Sequence, residues 1–240
     1  MEHLDLKLLV LAGGEGSRLR SELPNIPKAM APIGEIPFLA LQLENWISQG
    51  VHSFVFLLHH HADQIIEFLE CAKTGVLKDC NVEYLLEPSP MDTGGAVAFA
   101  VQELALEGDI LIVNADTWLG GGFKELSEAA SPALLVAYID DSSRYGQVQF
   151  NSQKKITAFC EKNNSNLPGW ISAGICRLSA SIFKQWDGVR FSLERQLFPE
   201  LVYRGELSAV TISTDFIDIG IPDDYRRFSR WISEGRNHIL

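Results

Sequence analysis

Apolar and polar positions along this chain follow two regimes. Leu8 to Leu11 is a short continuous apolar run that stops at Gly13 and Gly14, as expected of a buried parallel strand feeding a glycine loop. From Pro37 to Gln49 the apolar residues fall at 38, 39, 41, 43, 46 and 47, a helical spacing that ends at Gly50. The same reading predicts strands over 53–58, 82–86 and 109–114, and helices over 62–70 and 94–104. Repeated strand-helix-strand units imply a parallel sheet wound on both faces, with ligands at the carboxyl ends of its strands.

Beyond residue 130 the pattern changes. Strands are predicted over 133–139, 147–151, 155–160 and 171–178, joined by short loops. A helix over 191–203, a strand over 208–213 and a helix over 222–232 with Pro at its start close the chain. No linker, repeat or low-complexity stretch interrupts it. The expectation is one α/β domain over 1–240, with a dinucleotide-type first half (1–130) and a more open, β-rich second half (131–240).

Composition narrows the function. A chain of 240 residues with 46% hydrophobic and 21% charged residues is ordinary for a soluble globular protein. The N-terminus lacks a basic region followed by an apolar core, and no apolar run approaches a membrane span, so a cytoplasmic protein without membrane contact is expected. Twenty basic against 31 acidic residues give a formal charge of −11, which argues against nucleic acid as a partner. Such a protein binds phosphates through local Arg and Lys together with a divalent cation. Four cysteines (Cys71, Cys80, Cys160 and Cys176) form no CxxC pair and are expected to be reduced.

The glycine loop is the leading candidate for chemistry. Without Cβ atoms its backbone can adopt positive φ and approach an anion, and Arg18 adds a permanently charged fork, a combination suited to a polyphosphate. A Walker loop needs a Gly-Lys-Ser/Thr run that is missing here, and a dinucleotide fingerprint needs a third glycine where Leu19 stands. A tight turn without a ligand remains the alternative.

Asp116, after the strand 110–113, and Asp218, in FIDIG, are placed to hold Mg²⁺ or, individually, to cap turns. Lys28 and Lys162 lie at loop and strand ends and read equally as surface charges. His59, His60 and His61 read as a polar strand end, because consecutive strand residues face opposite ways and do not readily share an ion.

LAGGEGSRL followed by PKAMAPIGEIPFL closely resembles the signature of the sugar nucleotidyltransferases, which join a nucleoside triphosphate to a sugar 1-phosphate and release pyrophosphate. The likeness continues through DTGGA, NADT, SRYGQV, the EK pair, SAG, FSLE and FIDIGIPDDY. The combination of SRYG, FSLE and FIDIG is most similar to the D-glycero-D-manno-heptose 1-phosphate guanylyltransferase branch.

The resemblance implies a Rossmann-like nucleotidyltransferase fold, with a central mixed, mostly parallel sheet flanked by helices in a single domain whose second half binds the sugar phosphate. It also implies roles. Leu11 and the backbone amides of Ala12, Gly13 and Gly14 would contact the nucleotide, Arg18 the departing phosphates, and Lys28 the reacting α-phosphate. Asp116 and Asp218 would hold Mg²⁺. Asn114, Tyr145, Gly146, Glu161 and Gly174 would contact the sugar, and Lys162 its phosphate.

The segment Glu87 to Ala96, with Asp92, Thr93 and Gly94, matches the family's base-reading loop, in which uracil and thymine enzymes often carry Gln at the position of Glu87. A carboxylate only accepts hydrogen bonds, so it suits the adjacent N1–H and N2–H₂ donors of guanine and repels the two oxygens of uracil. GTP is therefore the expected nucleotide, with a uridylyl- or cytidylyltransferase as the alternative. Asp92 stands where the family usually has Gly, Ser172 where it has Asn, and Ile221 where it has Thr.

Glycosyltransferases, which use a similar nucleotide fold, normally carry an Asp-x-Asp motif that is missing here. A catalytically silent nucleotide-sensing relative would be expected to have lost Arg18, Lys28, Asp116 or Lys162, and all four are present. With no hexapeptide repeat, no fused acyltransferase is expected. Family analogy implies a homo-oligomer.

Overall fold

The computed structural model describes residues 4–16, 18–19, 22–160 and 167–235. In chain order the strands are β1 (Leu8–Leu11), β2 (Pro32–Ile33), β3 (Ile36–Pro37), β4 (Ser53–Leu58), β5 (Asn81–Leu86), β6 (Asp109–Asn114), β7 (Thr117–Leu119), β8 (Ala133–Ile139), β9 (Gln147–Phe150), β10 (Ile156–Cys160), β11 (Gly169–Ser179), β12 (Ser208–Ile212) and β13 (Phe216–Asp218). The α-helices are α1 (Phe38–Ser48), α2 (Ala62–Ala72), α3 (Asp92–Glu103), α4 (Phe123–Glu128), α5 (Phe198–Tyr203) and α6 (Pro222–Ser233). No helix among the described residues is long and apolar enough to cross a membrane.

Contacts divide the chain into two compact units that interleave in sequence: 1–90 with 113–123 and 215–240, and 91–112 with 124–214. In the first unit β1 pairs parallel with β4, and β4 with β5. Leu8, Leu9, Val10 and the run Phe54 to Leu58 are fully buried. Strands covered on both faces need apolar side chains at every position, which is why these runs do not alternate.

A second pairing in this unit is short and antiparallel, β7 with β13, joining Thr117 to Asp218 and Trp118 to Ile217. One apolar cluster supports it: Leu19, Phe38, Trp118, Ile217, Ile219, Phe228 and Trp231 are all buried together. Phe38 meets Phe228 edge-on at 5.0 Å and Trp118 meets Trp231 at 5.7 Å, contacts worth about 0.5–1.5 kcal/mol each beyond their buried area.

The second unit is built differently. β8 and β11 are antiparallel, as are β9 and β10, and β12 lies parallel to β8. The β8–β11 register slips between Ser172 and Cys176, where Gly174 adopts φ +73°, the left-handed conformation that a bulge asks of glycine. Arg177 secures this unit: Nη2 donates to Asp109 at 2.8 Å, and Nη1 donates to the carbonyls of Ala129, at 2.8 Å, and Ser127.

The predicted helix over 191–203 needs correction. Phe191 is not helical, Ser192 is extended and caps a π-helical turn at Leu193–Leu197, and regular helix begins only at Phe198. The Ser192 hydroxyl accepts from the Arg195 N–H, the kind of local side-chain bond that starts a helix rather than continuing one.

Candidate active site

The site is clearest in the first unit, at the carboxyl end of β1. Ala12 donates its N–H to Leu57 O at 3.0 Å, continuing the strand ladder, so this amide is already committed and the amides of Gly13 and Gly14 are the loop's candidates for a phosphate. This corrects the expectation for Ala12, while Leu11 is the last residue of β1 and its carbonyl accepts from Ala115. Gly16 has φ +62°, and a Cβ there would stand 3.0 Å from Lys28 Cγ, so the loop folds closely over the lysine stem. The Leu19 N–H closes the turn onto Gly16 O, and Leu19 buries itself in the aromatic cluster, leaving its neighbour Arg18 exposed.

That cluster also positions the acidic pair. The residues flanking Asp218, Ile217 on β13 and Ile219 just beyond it, are fully buried, while Asp218 itself is only partly so. Ile219 donates its N–H to Asp116 O at 2.9 Å, which ties the segment of one aspartate to that of the other. Lys28 Nζ sits 2.9 Å from Asp116 Oδ2. Burial and the negative charge of Asp116 push the Asp218 carboxyl up to about 6, against the opposing pull of the Gly220 N–H, Lys28 and Arg18. Two carboxylates that repel each other in a partly buried place suit a cation.

Among the described residues no three His, Cys, Asp or Glu side chains converge on one point. Two carboxylates completed by substrate oxygens are, however, the usual way of holding Mg²⁺. The residues present therefore fit that ion.

Three supporting residues escaped the sequence reading. Gly220 donates its N–H to Asp218 Oδ1 at 2.6 Å, and a Cβ there would meet the same oxygen at 2.7 Å, so a side chain at 220 would push the carboxylate aside. Gln42 is fully buried and donates to Thr117 O at 2.6 Å, while Asn45, one turn on, donates to Leu119 O at 2.8 Å. Together they clamp β7 immediately after Asp116. The signal was available for Gln42, because Phe38, Gln42 and Trp46 lie on one helical stripe and a polar residue there must be buried.

Glu87 is buried, and its Oε1 lies only 2.5 Å from where a Cβ on Gly13 would be. Glu87 thus lies close against the glycine loop, at a place where any larger residue at 13 would displace the carboxylate. Asn114 ends β6, two residues before Asp116.

The second unit holds the remaining candidates. Asp92 has φ +62°, a left-handed conformation that glycine adopts more easily, and its carboxylate is paired with Arg195 at 2.5 Å, with Arg190 at 3.8 Å. The Thr93 hydroxyl donates to Glu194 at 2.7 Å and accepts from the Leu193 N–H at 2.9 Å. Gly94 gives its N–H to Phe191 O, and a Cβ there would lie 2.2 Å from the Phe191 ring. These side chains and amides therefore hold DTGGA against FSLE.

Tyr145 donates its N–H to Ser142 O at 3.0 Å and carries Arg144 over its ring, with Gly146 following before β9. Gly174 forms the bulge described above, and its N–H points to the Ser172 hydroxyl at 3.5 Å. Glu161 and Lys162 lie outside the described residues. Burial pushes the Cys176 thiol up, so it stays protonated.

Residues 7–234 match the nucleotidyl transferase family. The chain belongs to that family. A D-glycero-alpha-D-manno-heptose 1-phosphate guanylyltransferase of Campylobacter jejuni is 29% identical to this nucleotidyltransferase over 93% of its chain and 98% of the relative's. A mannose-1-phosphate guanyltransferase of Emericella nidulans is 27% identical over 92% of this chain but only 62% of its own, so the chain spans less than two thirds of that relative.

Among solved structures, HddC from Yersinia pseudotuberculosis superposes with a TM-score of 0.83 at 30% identity, covering 95% of this chain and 99% of the other. The same protein complexed with GMP-PN gives 0.81 at 29% identity, with the same coverage. The expected nucleotidyltransferase fold is therefore the observed one.

Proposed function

We propose that this nucleotidyltransferase condenses GTP with a manno-configured sugar 1-phosphate, D-glycero-alpha-D-manno-heptose 1-phosphate first among them, giving a GDP-sugar and pyrophosphate. The observation that carries the choice of nucleotide is the buried Glu87 carboxylate lying against Gly13 of the phosphate loop. An acceptor-only group at that place pairs with the two adjacent donors of guanine and repels uracil. The guanylyltransferase names of the relatives and the GMP-PN complex of the structural neighbour support the same reading.

The chemistry asks mainly for neutralisation and alignment. An oxygen of the sugar phosphate attacks the α-phosphorus, the bond to the β-phosphate bridge breaks, and pyrophosphate leaves with the electron pair. The attacking group is already ionised, so no protein nucleophile or base is needed. Lys28 would move from Asp116 to the α-phosphate, Arg18 would hold the leaving phosphates, and Asp116 with Asp218 would hold the cation. Mg²⁺, when bound, would neutralise the triphosphate and screen the approach of the second anion. Tyr145, Gly146, Glu161, Lys162 and Gly174 would receive the sugar phosphate.

The test is pyrophosphate release with Mg²⁺ from GTP, UTP, CTP, ATP and dTTP against a panel of sugar 1-phosphates. GTP-dependent release with heptose or mannose 1-phosphate, and a loss of GTP preference in Glu87→Gln, are the expected results. Release from another nucleotide, or unchanged preference in Glu87→Gln, would remove the guanine assignment.

A further inference from the structure

We propose that His59 is a positioning residue for base recognition, fixing Glu87 against the phosphate loop. The inference rests on Glu87 reading the base. The β4–β5 ladder ends at the pair Leu58 and Leu86, and Glu87 lies one residue beyond. Its N–H still donates to Leu58 O at 2.8 Å, but its carbonyl has passed the last strand donor. His59 supplies one: Nδ1 lies 3.1 Å from Glu87 O. A carbonyl only accepts, so Nδ1 carries the hydrogen.

The backbone of His59 faces the other way, onto the phosphate loop. A Cβ on Gly13 would stand 3.1 Å from His59 N and 3.2 Å from His59 Cβ, and the next residue, His60, donates its N–H to Gly13 O at 3.4 Å. The same virtual Cβ lies 2.5 Å from Glu87 Oε1. One residue thus touches the loop with its main chain and holds the base-reading segment with its ring. His60 and His61 do something else: their rings meet at 4.1 Å, and His61, at φ 54°, turns the chain into α2.

The consequence is a selectivity effect without a charge effect. Losing the Nδ1 donor removes one of the ties on the Glu87 main chain, which weakens the two-point pairing with guanine and leaves the triphosphate contacts in place. An asparagine can place its Nδ2 donor where the imidazole Nδ1 stands, whereas leucine keeps the bulk and removes the donor.

The experiment measures GTP and UTP affinity by calorimetry on the full chain, together with KM and kcat, for wild type, His59→Leu, His59→Asn and Glu87→Gln. We expect His59→Leu to weaken GTP about tenfold, the scale of one hydrogen bond, with UTP affinity and kcat little changed, and His59→Asn to recover most of the loss. His59→Ala serves the same comparison if the leucine variant does not fold. Unchanged GTP affinity in His59→Leu, an equal loss for both nucleotides, or no recovery in His59→Asn overturns the proposal. If Glu87→Gln narrows the GTP preference while His59→Leu does not, only the role of His59 falls. An unaltered preference in Glu87→Gln removes the base reading and this proposal together.

Discussion

The two units use their polar residues in opposite ways. In the first, Lys28, Asp116 and Asp218 are crowded together, and the Asp218 carboxyl is pushed up to about 6 by burial and its acidic neighbour. In the second, polar groups largely satisfy one another: Asp92 with Arg195, Thr93 with Glu194, Arg177 with Asp109 and two carbonyls. An unrelieved repulsion costs stability and is kept where a ligand will relieve it. A closed network holds a shape. The first unit is organised for charge and the second for form.

The largest effect should come from removing the repelling pair itself. Asp116→Ala or Asp218→Ala is expected to lower Mg²⁺-dependent pyrophosphate release by more than about 10³-fold while the protein still folds cooperatively, the loss typical of removing electrostatic stabilisation of a transition state. Full activity in both variants would end the metal assignment. Next, Lys28→Ala should reduce kcat by about 10²–10³-fold, measured in the same assay, because the proposed function gives this charge to the α-phosphate.

A change aimed at form should act on stability instead. In Gly94→Ala the new methyl would need the space of the Phe191 ring, so a loss of about 1–3 kcal/mol is expected, read as a lower Tm in a thermal melt. Phe191→Leu added to it should restore part of that loss.

The smallest effect tests the stored repulsion directly. Between the ordinary carboxyl value near 4 and its folded value near 6, Asp218 keeps a proton that the unfolded chain releases. Its contribution to stability therefore falls as pH rises through that window, and the deficit is complete above it. Without Mg²⁺, Asp218→Asn should melt higher than wild type by a few degrees above pH 6 and equally near pH 4. Added Mg²⁺ should stabilise wild type and not the variant. Equal melting of the two proteins at pH 8 would show that no such repulsion is stored.

Much of this was legible in the chain. The apolar runs of β1, β4 and β6 and the helical spacing of α1 placed the long elements within a residue or two, since burial on both faces or on one stripe leaves a period that can be read. Asp218 stood out as an acidic residue set between the apolar neighbours Ile217 and Ile219 in FIDIG. β7 and β13, three residues each, were missed because a strand so short has no period. The π-helical turn at Leu193–Leu197 was missed because its sequence carries the same apolar spacing as a regular helix.

The family, the glycine loop, the candidate charges and the order of the long elements can be read from the chain, because they rest on residue type and local spacing. Tertiary structure alone decided which groups meet. Lys28 and Asp116 are 88 residues apart along the chain and Thr93 and Glu194 are 101, distances over which no local pattern operates. It likewise decided that the Ala12 amide is spent on Leu57 and that Gly94 lies against the Phe191 ring. Both follow from the close approach of separate segments, which packing sets.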